Sequence, residues 1–116
     1  MLACVCLNPS FDRTVSLRSF TVGDMNRVLS ARQDVGGKGI NVAITARRLG
    51  IASCVLGCAG KNGIDAVRRK LDGEQVTHVF LPVDGDVRTN MKIVPQDGTA
   101  VTELNEPGAP VNAANQ

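Results

Sequence analysis

Three short apolar runs, separated by two segments with helical spacing, constrain the fold of this chain more than any other feature. The runs cover residues 2–7, 51–57 and 76–83, and each is long enough for one buried strand. Residues 40–49 and 62–71 lie between them and place apolar side chains three and four positions apart. Because buried strands alternate with helices, the sequence predicts an α/β fold with a parallel sheet and crossover helices.

Residues at the helix ends support this interpretation. Arg47 and Arg48 fall in the last turn of the first helix, where cations suit the helix dipole, and Gly50 follows as a stop. In the second helix, Asn62 is the predicted cap and Gly73 the predicted end.

Other segments alternate with the period of a half-exposed strand. They cover residues 12–17, 27–35 and 87–93, and residues 99–104 follow a Pro-Gln-Asp-Gly turn as a hairpin partner. Arg88, Asn90 and Lys92 then share one strand face. The pattern indicates a smaller sheet beside the parallel one.

Composition excludes several classes of protein. The chain has 116 residues, a net charge of +2 and only 3% aromatic residues. Such a charge is too small to attract nucleic acid, and too few aromatic faces are present for base stacking. The apolar start lacks a basic region and is too short for a signal peptide or a membrane helix, which predicts a cytoplasmic protein without membrane contact.

The four cysteines are predicted to be buried small hydrophobic residues. Cys4 and Cys6 alternate within an apolar run and would face the same side of a strand. His78 is the only histidine, so we expect no metal site.

The stretch Gly-Gly-Lys-Gly-Ile-Asn at 36–41 carries the clearest chemical signal. Its glycines allow backbone N–H groups to approach an oxygen-rich ligand at the start of a helix. A P-loop is excluded by Arg32 and Gly39, and a dinucleotide fingerprint is excluded by Val42. A plain turn into a helix also accounts for the glycines, so this stretch alone leaves both interpretations open.

Four motifs together resemble the ribokinase-like carbohydrate kinases, the phosphofructokinase type B family. In chain order they are Asn8-Pro9-Ser10-x-Asp12, Gly36-Gly37-Lys38-Gly39-x-Asn41-x-Ala43, Arg88-Thr89-Asn90-x-Lys92 and Thr-Glu-Leu-Asn-Glu-Pro-Gly at 102–108. The likeness is greatest to the 1-phosphofructokinase subgroup, with tagatose-6-phosphate kinases near it. It implies that residues 1–116 form the N-terminal portion of a ribokinase-like domain, with lid segments near 12–35 and 87–105 and the C-terminal half absent.

The resemblance also implies roles for individual residues. Asp12 and Asn41 would bond sugar hydroxyls, and Gly36 and Gly37 would lie against the sugar. The phosphate would be attracted by cations, with Arg27 the weaker candidate; the remaining predicted substrate-binding residues are Lys38, Arg88, Asn90 and Lys92. A turn cap for Asp12, a helix cap for Asn41 and solvated surface charges for the cations are the structural alternatives.

The family's catalytic aspartate motif has no counterpart in this sequence. The nearest glycine cluster, 57–63, is followed by Asp65, which the pattern places in the first turn of a helix. We therefore predict no catalytic residue here and no strong binding of the ATP and Mg²⁺ that the intact family enzyme would use. The expected substrate is a phosphorylated ketohexose, and the expected partner is a second copy bound through the lid.

Two other functions are consistent with the sequence. One is a non-catalytic module that binds or senses sugar phosphates, and the other is a family member for nucleosides or unphosphorylated sugars. Arg88 and Lys92 argue against the latter, because a neutral substrate does not need them. We also expect an exposed hydrophobic edge on the parallel sheet, and therefore association or partial disorder.

Overall fold

A computed structural model describes residues 1–109, and within this range the chain forms seven strands and two helices. In chain order these are β1 (Leu2–Cys6), β2 (Ser10–Leu17), β3 (Ser30–Gly36), α1 (Lys38–Arg48), β4 (Ser53–Asn62), α2 (Ile64–Gly73), β5 (Thr77–Asp86), β6 (Arg88–Pro95) and β7 (Thr102–Asn105). Residues 110–116, the end of the predicted domain, lie outside the described residues.

The central sheet contains β1, β4 and β5 in the order β1-β4-β5, with both pairs parallel. The register aligns Cys4 with Val55 and Val55 with His78. Helices α1 and α2 connect these strands through the intervening segments, as a parallel sheet requires. The predicted parallel sheet with crossover helices is confirmed.

The main core lies between one face of the central sheet and the two helices. Ile40 of α1, Val67 and Leu71 of α2 and Val55 of β4 are completely buried there. Cys4 and Cys6 point into the same core, as their alternation predicted. The buried residues of each helix recur at three- and four-residue intervals, so the helical periodicity of the sequence positions this layer.

The opposite face of the central sheet is not covered by any described residue. Val5, Leu56, Val79 and Leu81 alternate with the core residues along their strands and are 47–66% exposed. Strands of parallel sheets are ordinarily buried on both faces. The hydrophobic exposure expected from the sequence therefore includes a whole sheet face as well as an edge.

The side sheet contains the other four strands in the order β3-β2-β6-β7. Strand β2 pairs antiparallel with β3 and parallel with β6, and β7 pairs antiparallel with β6. Val15, Leu17 and Ile93 form a small buried cluster on one of its faces. This sheet is built from the segments that the family resemblance assigns to a lid, and its action as a lid stays a prediction.

One predicted helix start is wrong. Helix α2 begins at Ile64 after Gly63, whose left-handed backbone (φ 111°) makes the turn. Asn62 is instead the last residue of β4, and its side-chain amide donates to Asp86 Oδ1 at 2.8 Å. The Asn62 side chain therefore links the ends of β4 and β5 and does not cap α2.

The two helices are short. In residues 1–109, no helix has the length and apolar character needed to cross a membrane.

Candidate functional site

A polar cleft of about 420 Å³ lies on one face of the side sheet. Strand register brings its residues together, because Asp12 of β2 has both Asp34 of β3 and Asn90 of β6 as direct neighbours. Two residues further along β2, Thr14 lies between Arg32 of β3 and Lys92 of β6. Glu103 and Asn105 of β7 complete this side of the lining.

The carboxylate of Asp12 is held from two directions. Ser10, buried two residues earlier on the same strand, donates its hydroxyl to Asp12 Oδ1 at 2.8 Å. Gly36 lies on the other side, and a methyl group at Gly36 would overlap the Asp12 carboxylate. The absence of a side chain at Gly36 therefore creates the space that Asp12 occupies, and the fixed carboxylate can accept hydrogen bonds from a ligand.

The other glycines of the 36–41 segment pack against the end of β1. Gly37 adopts a positive φ of 134°, and a Cβ there would lie 3.0 Å from Cys6 Sγ. A Cβ on Gly39 would lie 2.5 Å from the Val5 carbonyl oxygen. Both glycines are thus required by packing. They also leave the N-terminus of α1 open beside the strand ends, with Lys38 exposed as the first helical residue.

Arg88 lies on the same strand face as Asn90, but its guanidinium extends toward the end of β1. Nη2 donates to the Asn8 carbonyl oxygen at 3.3 Å. Nε is buried and has no hydrogen-bond partner within residues 1–109. A buried donor without a partner carries a free-energy cost of about 1–3 kcal/mol.

Arg88 lines a second cavity of about 310 Å³, which shares no lining residue with the polar cleft. Asp86 and Glu106 line the same cavity, so its charge is mixed.

The thiol of Cys6 lies close enough to Arg88 to feel its charge. Burial raises the pKa of this thiol. Backbone hydrogen bonds from Asn8 and Ile40, and the positive charge of Arg88, lower the pKa by a smaller amount.

Two cations of the polar cleft are paired with carboxylates. Arg32 Nε lies 3.1 Å from Asp34 Oδ2, and Lys92 Nζ lies 3.8 Å from Glu103 Oε1. All four side chains are more than half exposed, so each pair contributes little to stability. A phosphate could therefore recruit Lys92 from its present partner at small cost.

The structure brings some of the predicted substrate-binding residues together and separates others. Asp12, Asn90 and Lys92 line the polar cleft, and Gly36 contacts Asp12. Asn41 instead lines a mainly apolar groove on the exposed side of α1.

Gly37, Lys38 and Arg88 do not line the polar cleft either. Arg27 lines a separate cavity with Arg18 in the loop between β2 and β3.

Sequence reasoning missed the contribution of β3. Arg32 and Asp34 occupy the cleft beside Thr14 and Asp12, yet neither was a candidate. Their alternation within residues 30–36 was the available signal, because residues two apart on a strand share a face.

The glycine cluster at 57–63 does not form a nucleotide-binding loop. Gly57 and Gly60 lie inside β4, where a Cβ on Gly57 would overlap the Cys6 carbonyl oxygen and one on Gly60 would clash with the Asp86 backbone. These glycines serve close strand packing. In the part of the chain that the structure describes, no three His, Cys, Asp or Glu side chains gather around a possible metal position.

Comparison with known proteins assigns this architecture to a family. Residues 6–116 match the family described as pfkB family carbohydrate kinase. A 1-phosphofructokinase from Rhodobacter capsulatus is 35% identical over 98% of this chain, and one from Bacillus subtilis is 37% identical over 97%. The chain spans only 36% of the length of each of these curated relatives.

Solved structures agree with the sequence comparison. A possible 1-phosphofructokinase from Thermotoga maritima superposes with a TM-score of 0.83 at 30% identity, over 99% of this chain and 38% of that one. Phosphofructokinase-2 from Escherichia coli, solved with fructose-6-phosphate, superposes with a TM-score of 0.87 over 98% of this chain and 38% of that one. Its identity is 22%, so this likeness shows the fold alone.

Proposed function

Because this chain belongs to the pfkB family of carbohydrate kinases, we propose that it forms the sugar-phosphate-binding part of a ketohexose-phosphate kinase. The proposed reaction is transfer of the γ-phosphoryl group of MgATP to a free hydroxyl of a substrate such as fructose 1-phosphate. The described residues offer neither a nucleotide loop nor a metal cluster, so ATP and Mg²⁺ are proposed only for a kinase of the relatives' length.

The arrangement of Asp12, Asn90 and Arg88 carries the proposal. Asp12 and Asn90 are register partners in the polar cleft, and Arg88 lies two residues before Asn90 on the same strand face. Two residues of a strand span about 7 Å, which is comparable to the length of a hexose. A hydroxylated end would lie at Asp12 and Asn90, and an anionic end at Arg88, which lines the second cavity.

Other residues take supporting roles in this proposal. Lys38 at the N-terminus of α1 and Lys92 in the cleft add positive charge near the ligand. Gly36 and Gly37 keep the loop backbone close to the sugar. Asn41 and Arg27 line other cavities, so the proposal does not depend on them.

The side sheet is proposed to act as a lid that excludes water from the sugar, which strengthens charged contacts. Its connecting loop exposes Val22, Met25 and Val28, which are 51–87% accessible. A second copy that packs on this apolar loop and the adjoining sheet would form the proposed dimer. A cytoplasmic location belongs to the same proposal and rests on the family assignment.

A non-catalytic sugar-phosphate-binding module is the second candidate. The cleft favours it, because Asp12, Asn90 and Lys92 can bind a ligand without any catalytic group. Both candidates predict that the 116-residue chain binds a sugar phosphate without ATP-dependent turnover. Phosphorylation of fructose 1-phosphate by the pure chain would contradict both.

Titration calorimetry of the chain with fructose 1-phosphate tests the binding function. We expect binding that weakens at least tenfold in Asp12→Ala and is unchanged in Asp84→Ala, a carboxylate whose ion pair with Lys61 lies outside the cleft. Fructose and inorganic phosphate, titrated separately, distinguish recognition of the whole ligand from anion binding. A folded chain that binds no sugar phosphate, or that binds equally well without Asp12, would refute the proposal.

A further inference from the structure

Glu106 is joined to the start of β6 by two hydrogen bonds that run in opposite directions. Its side-chain Oε1 accepts from the Thr89 backbone N–H at 2.6 Å. Its own backbone N–H donates to Asn90 Oδ1 at 3.3 Å. The β6–β7 ladder ends at the pair Asn90–Asn105. Glu106 therefore extends the contact between the strands by one residue, with two hydrogen bonds that each join a side chain to a backbone N–H.

The second bond fixes the orientation of the Asn90 carboxamide. Because Oδ1 is the only part of this amide that accepts a hydrogen bond, it must face the Glu106 N–H. The Nδ2 amino group then points the other way, and it has no hydrogen-bond partner within residues 1–109. Asn90 is half-buried, lines the polar cleft and lies directly across from Asp12.

The segment that carries Glu106 is anchored independently of any ligand. The next residue, Pro107, accepts a hydrogen bond from Asn8 Nδ2 at 3.0 Å, which ties the segment to the end of β1. Gly108 packs against Asn8 and the Arg88 side chain. Glu106 is therefore held between the two sheets, and the orientation of Asn90 is set before a ligand arrives.

We infer that Glu106 is a positioning residue that turns the Asn90 amino group toward the Asp12 carboxylate, so that the two groups together recognise one sugar hydroxyl. The hydroxyl donates its hydrogen to Asp12, and its oxygen accepts a hydrogen from Asn90. Neither a deoxy sugar nor a methyl ether satisfies both groups, and buried groups left unpaired discriminate strongly. This inference rests on the proposed function and adds a residue outside the cleft lining.

The orientation is tested first without ligand, by NMR of the full chain. Alanine at position 106 keeps the backbone N–H that holds Asn90 but removes the side-chain bond to Thr89 that positions this N–H. We therefore expect Glu106→Ala to shift the Thr89 amide proton and the Asn90 side-chain amide protons. Glu106→Gln keeps an oxygen for Thr89 and should restore both resonances toward the wild-type positions. The matched control is Asp84→Ala, which removes a carboxylate outside the cleft and should leave them in place. Unmoved Asn90 resonances in Glu106→Ala would overturn the inference, whatever the binding result.

Binding of fructose 1-phosphate then tests the consequence. Glu106→Ala should weaken binding about tenfold, and Glu106→Gln should recover most of it. If Glu106 acts through Asn90, the double variant with Asn90→Ala binds no more weakly than Asn90→Ala alone. Fully additive losses would overturn the positioning role. A folded wild-type chain without sugar-phosphate binding would refute the proposed function and hydroxyl recognition, whereas the NMR result decides the Asn90 orientation separately.

Discussion

Replacement of Gly36 by alanine should impair ligand binding while leaving the fold almost unchanged. Gly36 has no positive φ, so its backbone accepts an alanine without strain. The obstacle is local: the new methyl group would overlap the Asp12 carboxylate and lie 3.1 Å from its Cγ and 3.4 Å from Ser10 Oγ. Asp12 must rotate away, and its 2.8 Å hydrogen bond with Ser10 must break.

The magnitudes follow from this geometry. Loss of the bond between Ser10 and Asp12 destabilises the fold by about 0.5–1.5 kcal/mol. Alanine at position 36 restores about 0.4–1 kcal/mol, because it reduces the conformational entropy of the unfolded chain. The free energy of unfolding should therefore change by less than about 1 kcal/mol. A hydrogen bond between the displaced carboxylate and a sugar hydroxyl is worth about 1.5–3 kcal/mol, so affinity should fall roughly 10- to 150-fold.

Urea denaturation and titration calorimetry with fructose 1-phosphate measure the two quantities on the same samples. Gly73→Ala is the matched control, because its added methyl group meets nothing within 4 Å, and both affinity and fold should be retained. Unchanged affinity in Gly36→Ala would refute the role assigned to the fixed carboxylate. A loss of more than about 3 kcal/mol in stability would show that the substitution disrupts the backbone instead.

Three further predictions concern the core, the uncovered sheet face and pH. Leu71→Ala should lower the free energy of unfolding by about 2–5 kcal/mol in urea denaturation, whereas Leu49→Ala, at a 75% exposed position, should change it by less than about 0.5 kcal/mol. The double variant Val79→Thr with Leu81→Thr removes apolar surface from the uncovered sheet face. It should therefore bind less of a hydrophobic dye and self-associate less in sedimentation experiments. A loss of stability as large as that of Leu71→Ala would mean that this face is buried. Burial raises the pKa of Cys6 above its ordinary 9.0, so the unfolded thiol ionises first and stability should fall as pH rises from 9.0 through the folded pKa. Cys6→Ala should flatten that decline in urea midpoints, and an equal slope in the variant would contradict the assignment.

The local pattern of the sequence was sufficient for the secondary structure and for the class of fold. Apolar runs, helical spacing and alternation each repeat over a few residues, so they predict elements directly. They placed Cys4 and Cys6 in the core. They failed at Asn62, because Gly63 could adopt a left-handed turn and Asn62 was needed to bond Asp86 at the strand ends. The periodicity indicated that Arg88, Asn90 and Lys92 share a face, but it could not say what lies opposite them.

Only the tertiary structure decided which distant residues meet. The pairing of Asp12 with Asn90 joins β2 and β6, which are separated in the chain by two helices and three strands. A one-residue shift in register would move one partner to the other face. The same long-range packing places Gly36 against Asp12 and brings the Glu106 backbone N–H within hydrogen-bond distance of Asn90. It also leaves Asn41 in a different groove. The sequence by itself determined the elements and their polar faces, because these depend on neighbours within a few residues. The cleft exists only where strands far apart in the chain are brought into one register.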